Sequence, residues 1–442
     1  MENAGGVRVL WRRALESFWF YPAVLCVSAV VLAEGLVLVD RALPAETVQG
    51  VGFLRALSAS GSRALLGAIA TSVLTVAGTT FSITISVLAT TTSTYGPRLV
   101  RNFMTDRGNQ LVLGVFTASF LYALIVLRSV RSQDDDGSAF VPTVAVNVAV
   151  LLAVLCVGVL VYFIHHIADS VQVSTLQRRL RDELDAVVEL LAPPESRTGA
   201  VDAAASLPES LPPVQGERRA TATGYVQWID VDGIVEVARR AGGTAEVLVR
   251  PGDHVLVREP CLRLRGTAAW SEADARAACR GIVLGVERTP HQDLSFAVQQ
   301  LTEMAVRALS PGMNDPYTAA YAFDTLADGL VRLVERDPPS AGRTDADGVL
   351  RAVVRWPQPE ELLGAVLVAV RTYALAAPVA LAAAVRLVER LAHADARPGP
   401  RARLRTEVRA WRDAMEGSEL LPHDREPVVR RLDAVIETLR LG

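Results

Sequence analysis

The sequence predicts an α-helical membrane bundle of four transmembrane helices, followed by a cytoplasmic α+β domain with a small β barrel-sandwich-like part and a helical C-terminal part. Three observations carry this. Nearly all long uncharged runs of the 442-residue chain lie before residue 167. Short strand-like segments separated by turn residues follow Gly224. From Gln292 onward, apolar residues recur at helical spacing.

A bilayer core needs roughly 20 apolar residues in a helix. Four runs meet this: Phe18 to Val39, Ala64 to Thr92, Leu111 to Leu127 and Val141 to Ile164. The first is too long for a signal-peptide core and lacks a small-residue cleavage site, so it reads as a retained span. Phe18, Trp19, Phe20 and Tyr21 form an aromatic cluster suited to the interface at its start. Arginine placement sets the orientation. Arg8, Arg12, Arg13, Arg98, Arg101, Arg107, Arg178, Arg179 and Arg181 fall on one side; Arg41, Arg55, Arg63, Arg128 and Arg131 fall on the other. Nine against five predicts both termini in the cytoplasm and a multi-pass protein of the bacterial inner membrane. The apolar region Leu362 to Val388 carries Arg371 near its middle and Pro378 soon after. It reads as two packed soluble helices, because a central arginine costs roughly 2.5–3.5 kcal/mol on insertion.

The expected organisation is a four-helix transmembrane domain over 1–170, an amphipathic helix and linker over 171–222, a small β-rich domain over 223–290, and a helical cytoplasmic domain over 291–442. Leu176, Leu180, Leu184, Val187 and Leu191 continue a helical stripe, so the fourth span is expected to run on as an amphipathic stalk. Pro193 to Arg218 has linker composition. Strands are expected at Gly224 to Asp230, Ala245 to Arg250, His254 to Leu264 and Gly281 to Glu287. The tight turn Pro251-Gly252-Asp253 separates the second and third.

Composition excludes several chemistries. All 45 basic residues are arginine. A Schiff-base enzyme, a phosphate loop ending in Gly-Lys and a biotinyl or lipoyl carrier all need lysine. A net charge of −3 gives no electrostatic footprint for nucleic acid. Cys26, Cys156, Cys261 and Cys279 are isolated in sequence and read as buried small apolar residues. No catalytic signature, metal cluster or cofactor motif is present in the sequence.

Three candidate sites remain. In the second span Thr75, Thr79, Ser82, Ser86 and Thr90 recur at steps of three and four, and Ser72 and Ser93 extend the row. This spacing draws one hydroxyl stripe down one helix face. Such hydroxyls glue helices together or line a wetted path. At the end of the fourth span stand His165, His166 and Asp169. His165 and Asp169 are one turn apart and suited to pair. Histidines at a membrane boundary titrate, bind a metal, which adjacent positions about 100° apart on a helix make awkward, or sit as amphipathic interface residues. The third candidate is the loop with Ser310, Gly312, Asn314 and Asp315. Asp315 reads as a helix N-cap and Pro316 as the first helical residue. A polar glycine-containing loop also suits a ligand.

The motifs together resemble domain-of-unknown-function family 2254, a family of bacterial predicted membrane proteins. The resemblance rests on Thr80-Phe81-Ser82-Ile83-Thr84, Pro97 to Met104, Phe163-Ile164-His165-His166-Ile167-Ala168, Gly224-Tyr225-Val226-Gln227, Arg250-Pro251-Gly252-Asp253 and Ala308 to Pro316. These lie in the family's order and cover most of the chain. Thr92-Ser93-Thr94-Tyr95 and Ala297 depart from its pattern. The resemblance implies an inner-membrane protein and no particular activity. The hydroxyl stripe, with a helix expected to run on from membrane to cytoplasm, adds the expectation of a homo-oligomeric channel or transport-type protein gated by its cytoplasmic domain, with the bilayer as its environment. A membrane-anchored interaction protein is the alternative, and a membrane enzyme the third class.

Overall fold

The computed structural model describes residues 19–42, 58–95, 106–131, 140–170, 172–192, 200–201, 211–337 and 340–441. Arg8, Arg12, Arg13, Arg55, Arg98 and Arg101, Phe18 of the aromatic cluster, and the motif Pro97 to Met104 lie outside them. The chain divides into two compact units, Met1–Thr175 and Leu176–Gly442.

The first unit is a helical bundle: α1 Phe20–Ala42, α2 Ala59–Tyr95, α3 Arg107–Ser129 and α4 Thr143–Ser170. All four are long and apolar enough to cross a membrane. Helix α2 has 37 residues, or about 55 Å at 1.5 Å per residue, well beyond a hydrocarbon core of about 30 Å. The bundle closes around α3, where Phe116, Tyr122, Ala123 and Val126 are wholly buried. Polar groups fix one end. Asp40 near the end of α1 accepts hydrogen bonds from the Val144 and Ala145 amides at 3.0 and 2.9 Å, capping α4 from another helix. Arg63 of α2 donates to the Val130 carbonyl at 3.0 Å. Arg128 pairs with Glu34 at 2.7 Å.

The second unit opens with α5 Val173–Leu191, then β1 Ala200–Val201, β2 Val214–Arg219, β3 Gly224–Ile229, α6 Val231–Arg240, β4 Thr244–Val247, β5 His254–Val255 and β6 Pro260–Arg265. There follow α7 Glu272–Arg280, β7 Ile282–Gly285, α8 Leu294–Ala308, α9 Pro316–Glu335, β8 Gly342–Thr344 and β9 Leu350–Val354. The chain ends with α10 Pro359–Tyr373, α11 Pro378–His393, α12 Pro398–Glu416 and α13 Pro422–Leu441. The region is thus mixed α/β with a helical C-terminus.

The strands expected as one small β part are divided between two sheets. One is six-stranded in the order β1-β8-β9-β4-β6-β2, and the other three-stranded in the order β5-β3-β7. In the larger sheet β4 runs parallel to β9, with Ala245 opposite Ala352 and Val247 opposite Val354. Strands β8 and β9 fall where only helices were expected, and β2 falls in the expected linker. Helix α6 lies between the first two expected strands.

The stalk expectation needs correction. Helix α4 ends at Ser170 and α5 begins at Val173. The apolar stripe of α5, with Leu180, Leu184, Val187, Val188 and Leu191 buried, is used inside the second unit. It packs on α9: a Cβ at Gly329 would lie 2.4 Å from Leu184 Cδ2, so only glycine admits this approach. Gln177 donates to the Thr318 carbonyl at 3.2 Å and Arg181 pairs with Asp328 at 2.6 Å. An amphipathic face of this length is more stable against a helix of its own unit than exposed as a stalk.

The region Leu362 to Val388 forms α10 and α11, of 15 and 16 residues, too short to span. Arg371 lies 3.7 Å from Glu407 of α12, so its charge has a partner.

Candidate functional site

Helix α2 has two opposite faces. Leu66, Ala70, Val73, Ala77 and Thr80 are buried against the bundle. About half a turn away, Thr75, Thr79, Ser82, Ser86 and Thr90 are all exposed. Ala64, Ala68, Thr71, Ser72, Gly78 and Ala89 complete that face, and they too are exposed. No side chain on it is larger than threonine; Leu74, Phe81 and Ile85 border it on one side and Ile83 on the other, all exposed. The contrast with neighbouring helices is chemical. Helix α1 exposes Val24, Val27, Val31 and Leu38, and α4 exposes Leu151, Val154, Val157, Val161 and Ile164. Those are faces that suit lipid.

The stripe hydroxyls are not fully spent. Thr75, Thr79 and Thr90 donate to the carbonyls of Thr71, Thr75 and Ser86 at 2.8, 3.0 and 3.0 Å. Back-bonding uses the one proton of each hydroxyl and leaves its lone pairs facing outward. The bonds of Thr75 and Thr79 stay within α2, so they join it to no other helix among the described residues. Ser93 extends the row in sequence, but its side chain lies outside the described residues.

At the end of α4 the expected pair is replaced by another. His165 and Asp169 are exposed. His166 instead turns into the bundle, with Nε2 3.0 Å from Oδ1 of Asp106. Asp106 is the N-cap of α3, and its carboxylate also accepts from the Gly108 amide at 2.8 Å. Tyr162, one turn before His166, stacks on the imidazole with ring centroids 5.3 Å apart. Helical spacing suggested His165–Asp169, but a carboxylate at a helix N-terminus is the better-placed acceptor.

Sequence reasoning did not single out Asn109. It lies in the first turn of α3 and is 4% exposed, and neither its amide nitrogen nor its oxygen has a hydrogen-bond partner. With Thr80, Thr84 and Phe163 it lines a cavity of about 10 Å³. Its one signal was a polar Asn109-Gln110 pair at the head of an apolar run.

The loop candidate lies in the second unit. Asp315 caps α9: its carboxylate accepts from the Thr318 amide at 3.1 Å and from the Thr318 hydroxyl at 2.6 Å. These bonds hold its carboxyl below the usual carboxylate range. Asn314 adopts a left-handed backbone, φ 45°, which asparagine tolerates best after glycine. Ser310 accepts from the amides of Met313 and Asn314 through its carbonyl at 3.0 and 2.9 Å. Gly312 is exposed, and a Cβ there would meet open space.

Two further motifs of the second unit come together. The Gly252 amide donates to the Val226 carbonyl at 2.8 Å, and the Val226 amide to the Asp253 carbonyl at 2.9 Å. Gly252, at φ +92°, lies against buried Asp293, where any Cβ would clash. Asp293 caps α8 and is gripped by Arg288, which also lies over the Phe296 ring at 4.9 Å. Among the described residues no three His, Cys, Asp or Glu side chains converge as metal ligands.

Four spanning helices followed by a mixed α/β region fit an integral membrane protein. The chain belongs to the family described as predicted membrane protein (DUF2254), matched over residues 15–391. It is similar to uncharacterized proteins of Mycobacterium tuberculosis (strain H37Rv) and Mycobacterium bovis. Each is 33% identical over 352 residues, which covers 78% of this chain and 67% of the relative. No solved structure matches it.

Proposed function

We propose that this protein is a homo-oligomeric channel or transport-type protein of the bacterial inner membrane, with both termini and the second unit in the cytoplasm. The exposed hydroxyl face of α2 carries this reading. Large aliphatic side chains are the stable surface toward lipid, as on α1 and α4. A face built only of Gly, Ala, Ser and Thr suits close helix approach or water. Copies meeting around α2 would give every stripe hydroxyl either a neighbouring helix or an aqueous path. The arginine distribution supports the cytoplasmic assignment. Helix α4 stops at Ser170 and α5 starts anew at Val173, so gating by the second unit would not run through one continuous helix. That same break favours the second reading, in which the helices tether an interaction domain.

Single cysteines at positions 79, 82 and 86, in a background lacking Cys26 and Cys156, separate the two. Charged thiol reagents need thiolate and hence water. Labelling at all three, with protection at 80, 83 and 87, supports a path. Uniform protection in a folded oligomer, under several ionic and pH conditions, overturns it. A monomer in the membrane overturns the assembly as well.

A further inference from the structure

Cys261 and Cys279 are 18 residues apart in the sequence and adjacent in space. Cys261 lies on β6 and is 3% exposed, and Cys279 lies on α7 and is half-buried. Their sulfurs are 4.0 Å apart. The Cys261 thiol also reaches the Arg218 carbonyl at 3.4 Å. The Arg218 guanidinium is held by Glu272 through its two terminal nitrogens, while its Nε is buried without a partner.

We propose that Cys261 and Cys279 form a reversible disulfide, with Cys279 as the attacking thiol and Cys261 as the resolving one. The two side chains differ in the way such chemistry needs. The neighbouring Cys261 thiol, helped by the Arg218 charge, holds Cys279 below the usual thiol range. The same contact and burial push Cys261 up, so it keeps its proton. The thiolate is the nucleophile, and it belongs to the more accessible sulfur. Closing from 4.0 Å to a bond of about 2.05 Å requires each sulfur to move about 1 Å. With only two sulfurs and no third ligand among the described residues, the pair does not make a metal site.

Hydrogen peroxide is the oxidant class that fits a half-buried thiol. The Cys279 thiolate attacks one peroxide oxygen, the O–O bond breaks, and the departing hydroxide takes a proton to become water. Cys279 is then a sulfenic acid. Cys261 gives up its proton and attacks the Cys279 sulfur; the S–O bond breaks and a second water leaves. Two thiols and one peroxide thus give one disulfide and two waters. A small dithiol reverses this by exchange.

The test uses the full-length reduced protein in detergent, treated with peroxide, alkylated and digested with trypsin without reduction. The expected product is peptide 259–263 joined to peptide 277–280, two hydrogens lighter than the sum, and lost on treatment with dithiothreitol. Cys261→Ser is expected to stop at a dimedone-reactive sulfenic acid on Cys279. In the unmodified protein, the alkylation rate of Cys279 is expected to rise at a lower pH than that of an ordinary thiol. Wild-type digests decide the matter even if the variant misfolds. Both cysteines alkylated after peroxide, or Cys279 oxidised without the cross-link, would overturn the proposal.

Discussion

His166 of α4 and Asp106 at the head of α3 are joined by a 3.0 Å hydrogen bond made directly over the glycine at position 108. A Cβ there would sit 2.6 Å from His166 Nε2 and 3.0 Å from Asp106 Oδ1. The imidazole thus occupies the space of a missing side chain while the carboxylate caps the helix beneath it. This ties the end of one span to the start of another.

Gly108→Ala is therefore expected to push the ring off the carboxylate and destabilise the bundle by about 1–3 kcal/mol, the usual range for overpacking. Asp106→Ala removes the cap, at about 0.5–2 kcal/mol. The diagnostic variant is the double Gly108→Ala, His166→Ala. It should cost no more than His166→Ala alone, because the clashing partner is gone. Thermal unfolding in detergent reads all four; strictly additive losses would show that the two residues do not share this space.

Glu246, on the central strand β4, is 3% exposed. Arg265 Nε lies 2.8 Å and Arg263 Nη1 3.2 Å from the same carboxylate oxygen. Burial pushes its carboxyl up, but the two guanidinium groups outweigh this, and the net shift is downward. A folded-state pKa below the unfolded value of about 4.3 means the ionised form stabilises the fold above that pH. The contribution is lost as pH falls through the folded value. Glu246→Gln should cost about 1–3 kcal/mol at pH 7, since it takes the charged acceptor from Arg265, while Arg263 keeps Glu217 at 3.1 Å. It should also flatten the acid side of the stability curve. Denaturant titrations at several pH values, following a probe in the second unit, check both; an unchanged acid limb refutes the assignment.

The elements that local rules control were legible in the sequence. Spans are dictated by bilayer thickness, and the Asp315–Pro316 start of α9 lies within three residues of its hydrogen-bond partner. What escaped was long-range. Ala245 pairs with Ala352 across more than a hundred residues, and nothing near either position announces a partner. Asp106 and His166 are 60 positions apart, whereas Asp169 was the acceptor visible from helical spacing alone. Cys261 and Cys279 looked isolated because a strand and a helix bring them together. The hydroxyl stripe was legible as a face, but only the fold shows that this face points away from the bundle.

The loop of Ser310 to Pro316 is expected to act first as a helix start. Asp315→Ala loses both bonds to Thr318 and should destabilise by about 0.5–2 kcal/mol. With its folded pKa held below the unfolded value of about 3.9, the cap stabilises above that value and fades as pH falls further. Asn314→Gly, which suits the left-handed backbone, should be nearly neutral, while Asn314→Val should cost about 1–2 kcal/mol. Full stability of Asp315→Ala together with loss of a cellular phenotype would instead mark the loop as a ligand site.

The hydroxyl face of α2 yields the sharpest contrast between fold and assembly. Thr79 is exposed and spends its proton on the Thr75 carbonyl. Replacing it with isosteric valine removes the outward lone pairs and leaves the bundle untouched. Thermal stability of the single chain should then change by no more than about 0.5 kcal/mol, the range of surface substitutions. Ser82→Leu adds bulk to the same face, and Gly78→Leu adds it at the flank, where Gly78 borders a crevice with Trp19 and Phe81. If copies pack along this face, leucine at either position should block close helix approach and shift cross-linked oligomer to monomer, with the monomer still folded. If the face lines water, Thr79→Val should lower ion or solute flux in reconstituted vesicles while the oligomer persists. Should leucine at 78 and 82 leave both oligomer and flux unchanged, the face meets lipid despite its composition, and the tethered-domain reading takes its place.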